Sequence, residues 1–95
     1  MRGFEIVAKI NAHNRAEFLQ AFEMARNDRS YRSSCLDMAL FEEVNSVNTY
    51  LWIERWQDED ALLDYLQGST YRMMIGAVNV LGICVEIRMC RFEEK

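Results

Sequence analysis

The stretch NTYLWIERWQDEDALLDYLQGSTYRMM, residues 48–74, decides the fold because it joins one strand to two helices. Residues 49–56 are rich in aromatic and β-branched types, which predicts a strand. Asp58 is placed to cap the helix that follows, and Gly68 ends that helix. The buried stripe of this helix consists of Leu62, Tyr65 and Leu66. The order within the stretch is therefore strand, helix, glycine break and helix.

The chain beyond this break continues as a helix and then a strand. Ser69 is placed to cap the second helix, and Gly82 stops it. The apolar residues on one face of this helix are Tyr71, Met74, Ile75, Val78 and Leu81. Residues 84–92 alternate between apolar and charged types, which predicts a further strand.

The N-terminal part of the chain predicts a strand and a helix. The period-two apolar residues of the strand are Phe4, Ile6, Ala8 and Ile10. Asn14 followed by Glu17 has the spacing of a capping box. The apolar residues that then recur at helical spacing are Phe18, Leu19, Phe22 and Ala25. This helix ends in the polar stretch RNDRSYRSS, residues 26–34.

Residues 35–44 alternate again and predict another strand, with apolar residues on both faces. One face carries Leu36, Met38 and Leu40, and the other carries Cys35, Ala39 and Phe41. The segment EEVNSVN, residues 42–48, contains Asn and Ser residues that tolerate tight turns. We therefore expect this strand to form an antiparallel hairpin with residues 49–56.

The predicted order of elements is strand, helix, strand, strand, broken helix and strand. This order is the split βαβ repeat of a ferredoxin-like α+β sandwich with a four-stranded antiparallel sheet, here a single domain over residues 1–95. Helices cover only one face of such a sheet, so the apolar residues on the other face need a partner. Two sheets that pack face to face would bury them, which predicts a homodimer in the form of a dimeric α/β barrel.

Composition excludes several classes of function. The 95 residues carry 15 acidic and 11 basic side chains, with a net charge of -4, and the scattered basic residues argue against a nucleic-acid partner. No apolar run reaches the roughly 18 residues of a membrane span. The three cysteines, Cys35, Cys84 and Cys90, lack zinc-ligand spacing, so we expect reduced thiols, no metal and a cytoplasmic location.

The stretch quoted above also resembles a family hallmark. Glu54 and Trp56, then QDEDALLDYL (residues 57–66), then Tyr71 and Arg72 resemble in order and spacing the antibiotic biosynthesis monooxygenase-like family, of the quinol monooxygenase type and the dimeric α/β-barrel superfamily. The resemblance implies that molecular oxygen oxidises a quinol-like or polyphenolic aromatic without metal or flavin. The substrate anion would supply the electrons, so no cofactor is expected.

The resemblance also implies which residues form the active site. Asn48 and Trp52 would hydrogen-bond the substrate or the oxygen intermediate, and Arg72 would stabilise the phenolate by its charge. Core packing is the alternative explanation for Trp52, and a solvated position near the start of its helix is the alternative for Arg72.

The residues expected to line the substrate cavity are Tyr65, Tyr71, Met74 and Met38. Tyr65 stands where many family members have a helical His, and its phenol is a poor base that can still donate a hydrogen bond. The alternative for the methionines is ordinary core packing. The one histidine, His13, is expected to face solvent.

Two functions from different classes follow. The first is a cofactor-independent monooxygenase of a quinol-like or polyphenolic aromatic. The second is a non-catalytic dimeric barrel that binds a small apolar molecule or has a structural role. The resemblance identifies the fold better than the reaction.

Overall fold

The computed structural model describes residues 2–27 and 34–91. The strands are β1 (Arg2–Ile10), β2 (Cys35–Glu42), β3 (Thr49–Trp56) and β4 (Gly82–Arg91). The helices are α1 (Arg15–Arg26), α2 (Glu59–Gln67) and α3 (Ser69–Leu81), and a single 3-10 turn (Ala12–Asn14) precedes α1. The order confirms the predicted one. Most of the polar stretch after α1 and the predicted last residue of β4 lie outside the described residues.

The four strands form one antiparallel sheet in the order β2-β3-β1-β4. The predicted hairpin of β2 and β3 is present, and β1 pairs with both β3 and β4. Together with the helices this is the predicted α+β ferredoxin-like fold. Within the described residues, no helix combines the length and the apolar character that crossing a membrane requires.

Alternation along the two central strands separates a buried face from an open one. On the buried face lie Phe4, Ile6, Ala8 and Ile10 of β1 with Tyr50, Trp52, Glu54 and Trp56 of β3. The helix residues that complete the core are Phe18, Phe22, Leu62, Tyr65, Met74, Val78 and Leu81. All three helices therefore cover the same side of the sheet.

Strand β2 departs from the predicted alternation. A register shift between Cys35 and Asp37 places an extra residue, Leu36, in the strand. Cys35 pairs with Trp56 and packs against the core together with Met38 and Leu40, whereas Leu36 is 45% exposed. The prediction that put Cys35 on the face opposite Met38 was wrong, because the extra residue of the bulge reverses the alternation between these two positions.

The helix caps confirm one prediction and correct another. The Asp58 carboxylate accepts the backbone N–H of Asp60 at 2.9 Å, as expected of the cap of α2. Gly68 is the N-cap of α3 and Ser69 is already its first helical residue, so Ser69 is not the predicted cap.

The start of α1 differs in a similar way. Asn14 occupies the N-cap position but its side chain makes no cap hydrogen bond, and its Nδ2 instead donates to the carbonyl of Leu81 at 3.1 Å. The predicted capping box is therefore absent. The amide links the start of α1 to the end of α3, where the carbonyl of Leu81 also accepts the backbone N–H of Asn11 at 3.0 Å.

Strand β4 begins two residues before its predicted start. Gly82 pairs with Ile10, and a Cβ at Gly82 would lie 2.0 Å from the carbonyl oxygen of Lys9. The missing side chain permits the chain to pass directly from α3 into the sheet.

Candidate active site

A single carboxylate lies among the aromatic rings of the buried sheet face. Glu54 is 1% exposed, and Trp52 and Trp56 flank it two residues away on either side. Because side chains on a strand alternate between faces, all three lie on the helix-covered side. The indole Nε1 of Trp52 donates to Oε2 of Glu54 at 2.9 Å, and that of Trp56 donates to Oε1 at 3.2 Å.

The phenol of Tyr65 on α2 adds a third donor to this carboxylate. Its hydroxyl donates to Oε2 of Glu54 at 3.5 Å, which is a long contact. Burial raises the pKa of Glu54 from 4.5 to about 7, although the hydrogen bonds from Trp52, Trp56 and Tyr65 act in the opposite direction. Glu54 therefore changes charge near neutral pH.

Glu54 was missed as a candidate by the sequence analysis, which used it only as part of the family pattern. The signal that would have found it is its position in the alternation. An acidic side chain two residues from a Trp on either side, on a face that is otherwise aromatic, must be buried if those rings are buried. A buried carboxyl group is a candidate functional group because its pKa is shifted.

Glu54 lines a pocket of about 320 Å³, here called the carboxylate pocket. It lies between the ends of β2 and β3 and the helices. The other residues that line it are Ala25, Arg26, Cys35, Leu36, Asp37, Met38, Trp56, Tyr65 and Thr70. The charged side chains on its wall have partners elsewhere: Arg26 lies 3.7 Å from Glu23, and Asp37 lies 3.3 Å from Arg55.

A second pocket, of about 330 Å³, lies between α1 and α3 and is here called the apolar pocket. The sheet contributes Trp52 to it. The helices contribute Phe18, Ala21, Met24, Ala25, Thr70, Met73, Met74, Ala77 and Val78. Ala25 and Thr70 also line the carboxylate pocket, so the two pockets are adjacent.

Two neighbouring rings fix the position of Trp52 at the wall of the apolar pocket. Phe22 packs edge-on against Trp52 with centroids 4.8 Å apart, and Phe18 does so at 6.3 Å. One end of the indole is therefore held by Glu54, while the ring borders the apolar pocket. An aromatic molecule in that pocket would contact the Trp52 ring.

Four of the seven predicted site residues line these pockets. Trp52 and Met74 border the apolar pocket, and Tyr65 and Met38 border the carboxylate pocket. Tyr71 lines neither one, since its ring packs edge-on against Phe4 at 5.6 Å and Tyr65 at 5.9 Å.

Asn48 is placed at the far end of β3 from Glu54. Its φ of 66° is left-handed, a conformation that Asn tolerates, and its backbone N–H donates to Glu42 at 2.9 Å. Its Oδ1 accepts a hydrogen bond from Arg15 at 3.1 Å. Trp52 lies four positions further along the chain than Asn48, which is about 13 Å in an extended strand. Asn48 lines neither pocket.

Arg72 is likewise held away from both pockets. Its Nη2 donates to the carbonyl of Gln67 at 3.0 Å and its Nε to that of Gly68 at 3.4 Å. These carbonyls lie at the end of α2, where a cation is favoured by the helix dipole. The structure thus does not bring Asn48, Trp52 and Arg72 together, and their catalytic roles stay predictions.

The remaining candidate groups are the thiol of Cys35, which lines the carboxylate pocket, and the one histidine. Burial raises the pKa of the Cys35 thiol to about 11, so it is protonated in the carboxylate pocket at neutral pH. His13 is exposed, as expected, in the turn before α1. In residues 2–27 and 34–91, no three His, Cys, Asp or Glu side chains are grouped to hold a metal ion.

Comparison with solved structures supports the fold. SnoaB, a cofactor-independent oxygenase from Streptomyces nogalater, is 18% identical with a TM-score of 0.79, over 99% of this chain and 94% of that chain. A protein from Deinococcus radiodurans named for antibiotic biosynthesis monooxygenases is 20% identical with a TM-score of 0.83, over 100% and 95% of the two chains. A conserved protein from Methanosarcina mazei is 14% identical with a TM-score of 0.82, over 97% and 92%. At these identities the likeness extends to the fold alone.

Comparison with protein sequences gives the family. Among curated proteins, none matches the chain. The model of the family described as antibiotic biosynthesis monooxygenase matches residues 3–77, which include β3, α2, the residues that line the carboxylate pocket and all but Val78 of those that line the apolar pocket. The chain belongs to the antibiotic biosynthesis monooxygenase family.

Proposed function

We propose that the protein is a monooxygenase that oxidises a quinol-like or polyphenolic aromatic with molecular oxygen and without a cofactor. The observation that carries this proposal is the apolar pocket bordered by Trp52, whose indole N–H is fixed to the buried carboxyl group of Glu54. The family supports a monooxygenase-type activity. The phenolic substrate is the finer part of the proposal.

The apolar pocket suits one small aromatic molecule. Its volume of about 330 Å³ is near the lower end of the usual range for ligand pockets. Met24, Met73 and Met74 adapt their shape to a flat ring, because methionine side chains are unbranched and flexible. A ring held there would be shielded from water on the side of the sheet, which favours reactions of anions with oxygen.

The alternative function is a non-catalytic barrel that binds a small apolar molecule. One observation favours it: Asn48 and Arg72, the predicted polar partners of the substrate, hydrogen-bond to other groups and line neither pocket. In that case the apolar pocket would bind a ligand without turnover. We further propose a homodimer with one pair of pockets in each protomer, located in the cytoplasm.

Oxygen consumption with a panel of reduced quinones, menadiol among them, tests the proposal. We expect consumption above the uncatalysed rate, and a kcat/KM at least tenfold lower for Trp52→Phe, which loses the N–H and part of the ring. Tyr50→Phe is the matched control: Tyr50 is on the same strand face and equally buried, and its hydroxyl has no hydrogen-bond partner among the described residues.

An absence of consumption with every quinol although the quinone binds would favour the alternative. An equal effect of Trp52→Phe and Tyr50→Phe on kcat/KM would refute the role of Trp52. Asn48→Ala and Arg72→Ala belong in the same assay. Their predicted roles require that both variants slow turnover without a change in the unfolding midpoint.

A further inference from the structure

Glu54 is an exception to the rule that buried side chains are apolar. In the described part of the chain it is the one charged side chain with less than a tenth of its surface exposed. Burial of a carboxyl group disfavours its charged form, so such a group is retained at a cost to the folded state. Trp52 and Trp56 donate to different oxygens of Glu54, so both oxygens act as acceptors, as in a carboxylate.

The carboxyl group of Glu54 keeps room for one more hydrogen bond. A carboxylate has about four acceptor positions on its two oxygens. Trp52 and Tyr65 occupy two on Oε2, and Trp56 occupies one on Oε1. The side chain lines the carboxylate pocket, so a hydroxyl group in that pocket can reach it.

We propose that Glu54 is the catalytic residue that accepts the proton of the substrate's phenolic hydroxyl. The inference rests on the proposed function for the class of substrate. The O–H bond of the phenol breaks, the proton forms a bond to a carboxylate oxygen of Glu54, and the electron pair stays on the phenolate oxygen. The phenolate then passes one electron to molecular oxygen, which is the oxidant of the proposed reaction.

The adjacency of the two pockets fits this step. A ring in the apolar pocket touches Trp52, and Ala25 and Thr70 are shared by both pockets, so a hydroxyl on that ring can point to the carboxylate pocket. The neutral acid that results can donate a hydrogen bond back to the phenolate. The negative charge therefore moves from Glu54 to the substrate, and no second anion is created in the pocket.

None of the titratable groups that face Glu54 from the neighbouring elements is as well placed to accept the proton. On α2 and α3 these are Tyr65 and Tyr71, and burial raises the pKa of Tyr71. On β2, the Cys35 thiol is protonated at neutral pH, and Asp37 pairs with Arg55. Arg26 of α1 is more than half exposed and lies near Glu23.

The pKa of Glu54, raised by burial to about 7, is close to the operating pH, where a general base is most effective.

Binding of 4-nitrophenol tests proton transfer separately from turnover. At pH 8 both this phenol and Glu54 are mostly ionised. Since two adjacent anions repel each other, we expect the complex to take up close to one proton for each phenolate bound. The uptake is measured by titration calorimetry in buffers with different ionisation enthalpies.

The matched variants for this test are Glu54→Gln and Glu5→Gln. Glu54→Gln should bind the phenolate with no proton uptake. Glu5 is a carboxylate on the open face of the same sheet, paired with Arg88 at 2.8 Å, so Glu5→Gln should behave as the wild type does. Equal uptake by Glu54→Gln and the wild type, no uptake by the wild type, or no binding to the wild type would each overturn the inference.

A third variant keeps the test decisive should Glu54→Gln not fold. Tyr65→Phe removes one donor from Oε2 of Glu54, which raises the pKa of that carboxyl group. Above that pKa the affinity of the wild type for the phenolate should fall tenfold for each pH unit. We expect the fall to begin at a higher pH in Tyr65→Phe, and an unchanged onset would contradict the inference.

Turnover separates this inference from the proposed function. We expect the kcat/KM of the wild type to rise as the pH increases through about 7. In Glu54→Gln this pH dependence should disappear, and kcat should be at least 100-fold lower than in the wild type, because the general base is absent. A wild-type kcat and pH profile in Glu54→Gln would overturn the role of Glu54 while the proposed function stands. Absence of turnover in the wild type would refute the proposed function, and the calorimetric result would still decide whether Glu54 exchanges a proton with a bound phenol.

Discussion

Glu54 gives the stability of the protein a dependence on pH that is opposite to that of most carboxyl groups. Its pKa in the folded state, about 7, lies above the ordinary value of 4.5, so the folded protein binds the proton more tightly than the unfolded chain does. The stabilisation is fully present below pH 4.5 and is lost as the pH rises through about 7. The shift corresponds to about 3 kcal/mol in the free energy of unfolding.

The prediction is that the free energy of unfolding falls by about 3 kcal/mol between pH 4.5 and pH 8 in the wild type and that Glu54→Gln removes this fall. Urea denaturation at a series of pH values measures it. A variant that keeps the wild-type slope above pH 4.5 would show that Glu54 titrates normally.

The ion pair of Arg15 and Glu42 serves as an internal contrast. Two hydrogen bonds of 2.6 and 2.9 Å from Arg15 lower the pKa of Glu42 to about 2. Because this pKa lies below the ordinary value, the pair stabilises the protein above pH 4.5 and loses that effect as the pH falls towards 2. Glu54→Gln should leave this loss of stability at low pH unchanged.

The passage from α3 into β4 depends on the absence of one side chain. In Gly82→Ala, the new Cβ would meet the backbone of Lys9 at 2.0 Å, so one of the two strands must move. We expect a loss of at least about 2 kcal/mol in the free energy of unfolding. Gly76→Ala is the matched control within α3, where a Cβ meets nothing within 4 Å.

The control should stabilise the protein by about 0.5–1 kcal/mol, since alanine favours a helix more than glycine does. Urea denaturation of both variants gives the comparison. A Gly82→Ala variant as stable as the wild type would show that the close approach of β4 and β1 can relax without cost.

The secondary structure was predictable where each element is specified by its own residues. The alternation in β1 and β3 and the cap at Asp58 follow from local rules, and the structure confirms them. Asn14 could not be assigned in this way, because its side chain bonds to Leu81, which is 67 residues away in sequence. The bulge at Leu36 likewise depends on pairing with another strand.

The sequence predicted the apolar residues that line the pockets better than the hydrogen-bond partners of the polar residues. Trp52 was expected at the site from the family resemblance, and Met74 because methionine side chains adapt to the shape of a ligand; both border the apolar pocket. Hydrogen bonds of Asn48 and Arg72 to nearby groups could not be foreseen, since a sequence pattern does not show which acceptors compete for a donor. Burial of Glu54 depends on the helices that cover this face of the sheet, which pack there through residues distant in sequence.

The open sheet face is the surface that suits a second copy of the chain. Val7, Leu51, Ile53, Ala39 and Phe41 alternate with the core residues and face away from the helices. Phe41 is 56% exposed, which is unusual for so large an apolar side chain. Both pockets lie on the opposite side of the sheet, so a dimer formed through this face would leave them accessible.

We therefore predict a dimer of twice 11.2 kDa that Ile53→Arg converts to a monomer, because the substitution places a charge in the apolar part of the open face. Sedimentation equilibrium at micromolar concentration measures the mass. Val80→Arg is the control on α3, where Val80 is 79% exposed on the helical side, and should remain dimeric. A wild-type species of 11.2 kDa would refute the dimer.

The shared hydrogen bonding of the two indoles has an optical consequence. The chain contains two tryptophans, and both donate their N–H to the same carboxyl group. Indole fluorescence responds to the charge of nearby groups, so the tryptophan emission of the whole protein should change with a midpoint near pH 7. Occupation of the adjacent pocket by an anion should shift that midpoint. The protein thus contains an unlabelled fluorescent reporter of its own site, which can be read in a simple titration before any substrate is known.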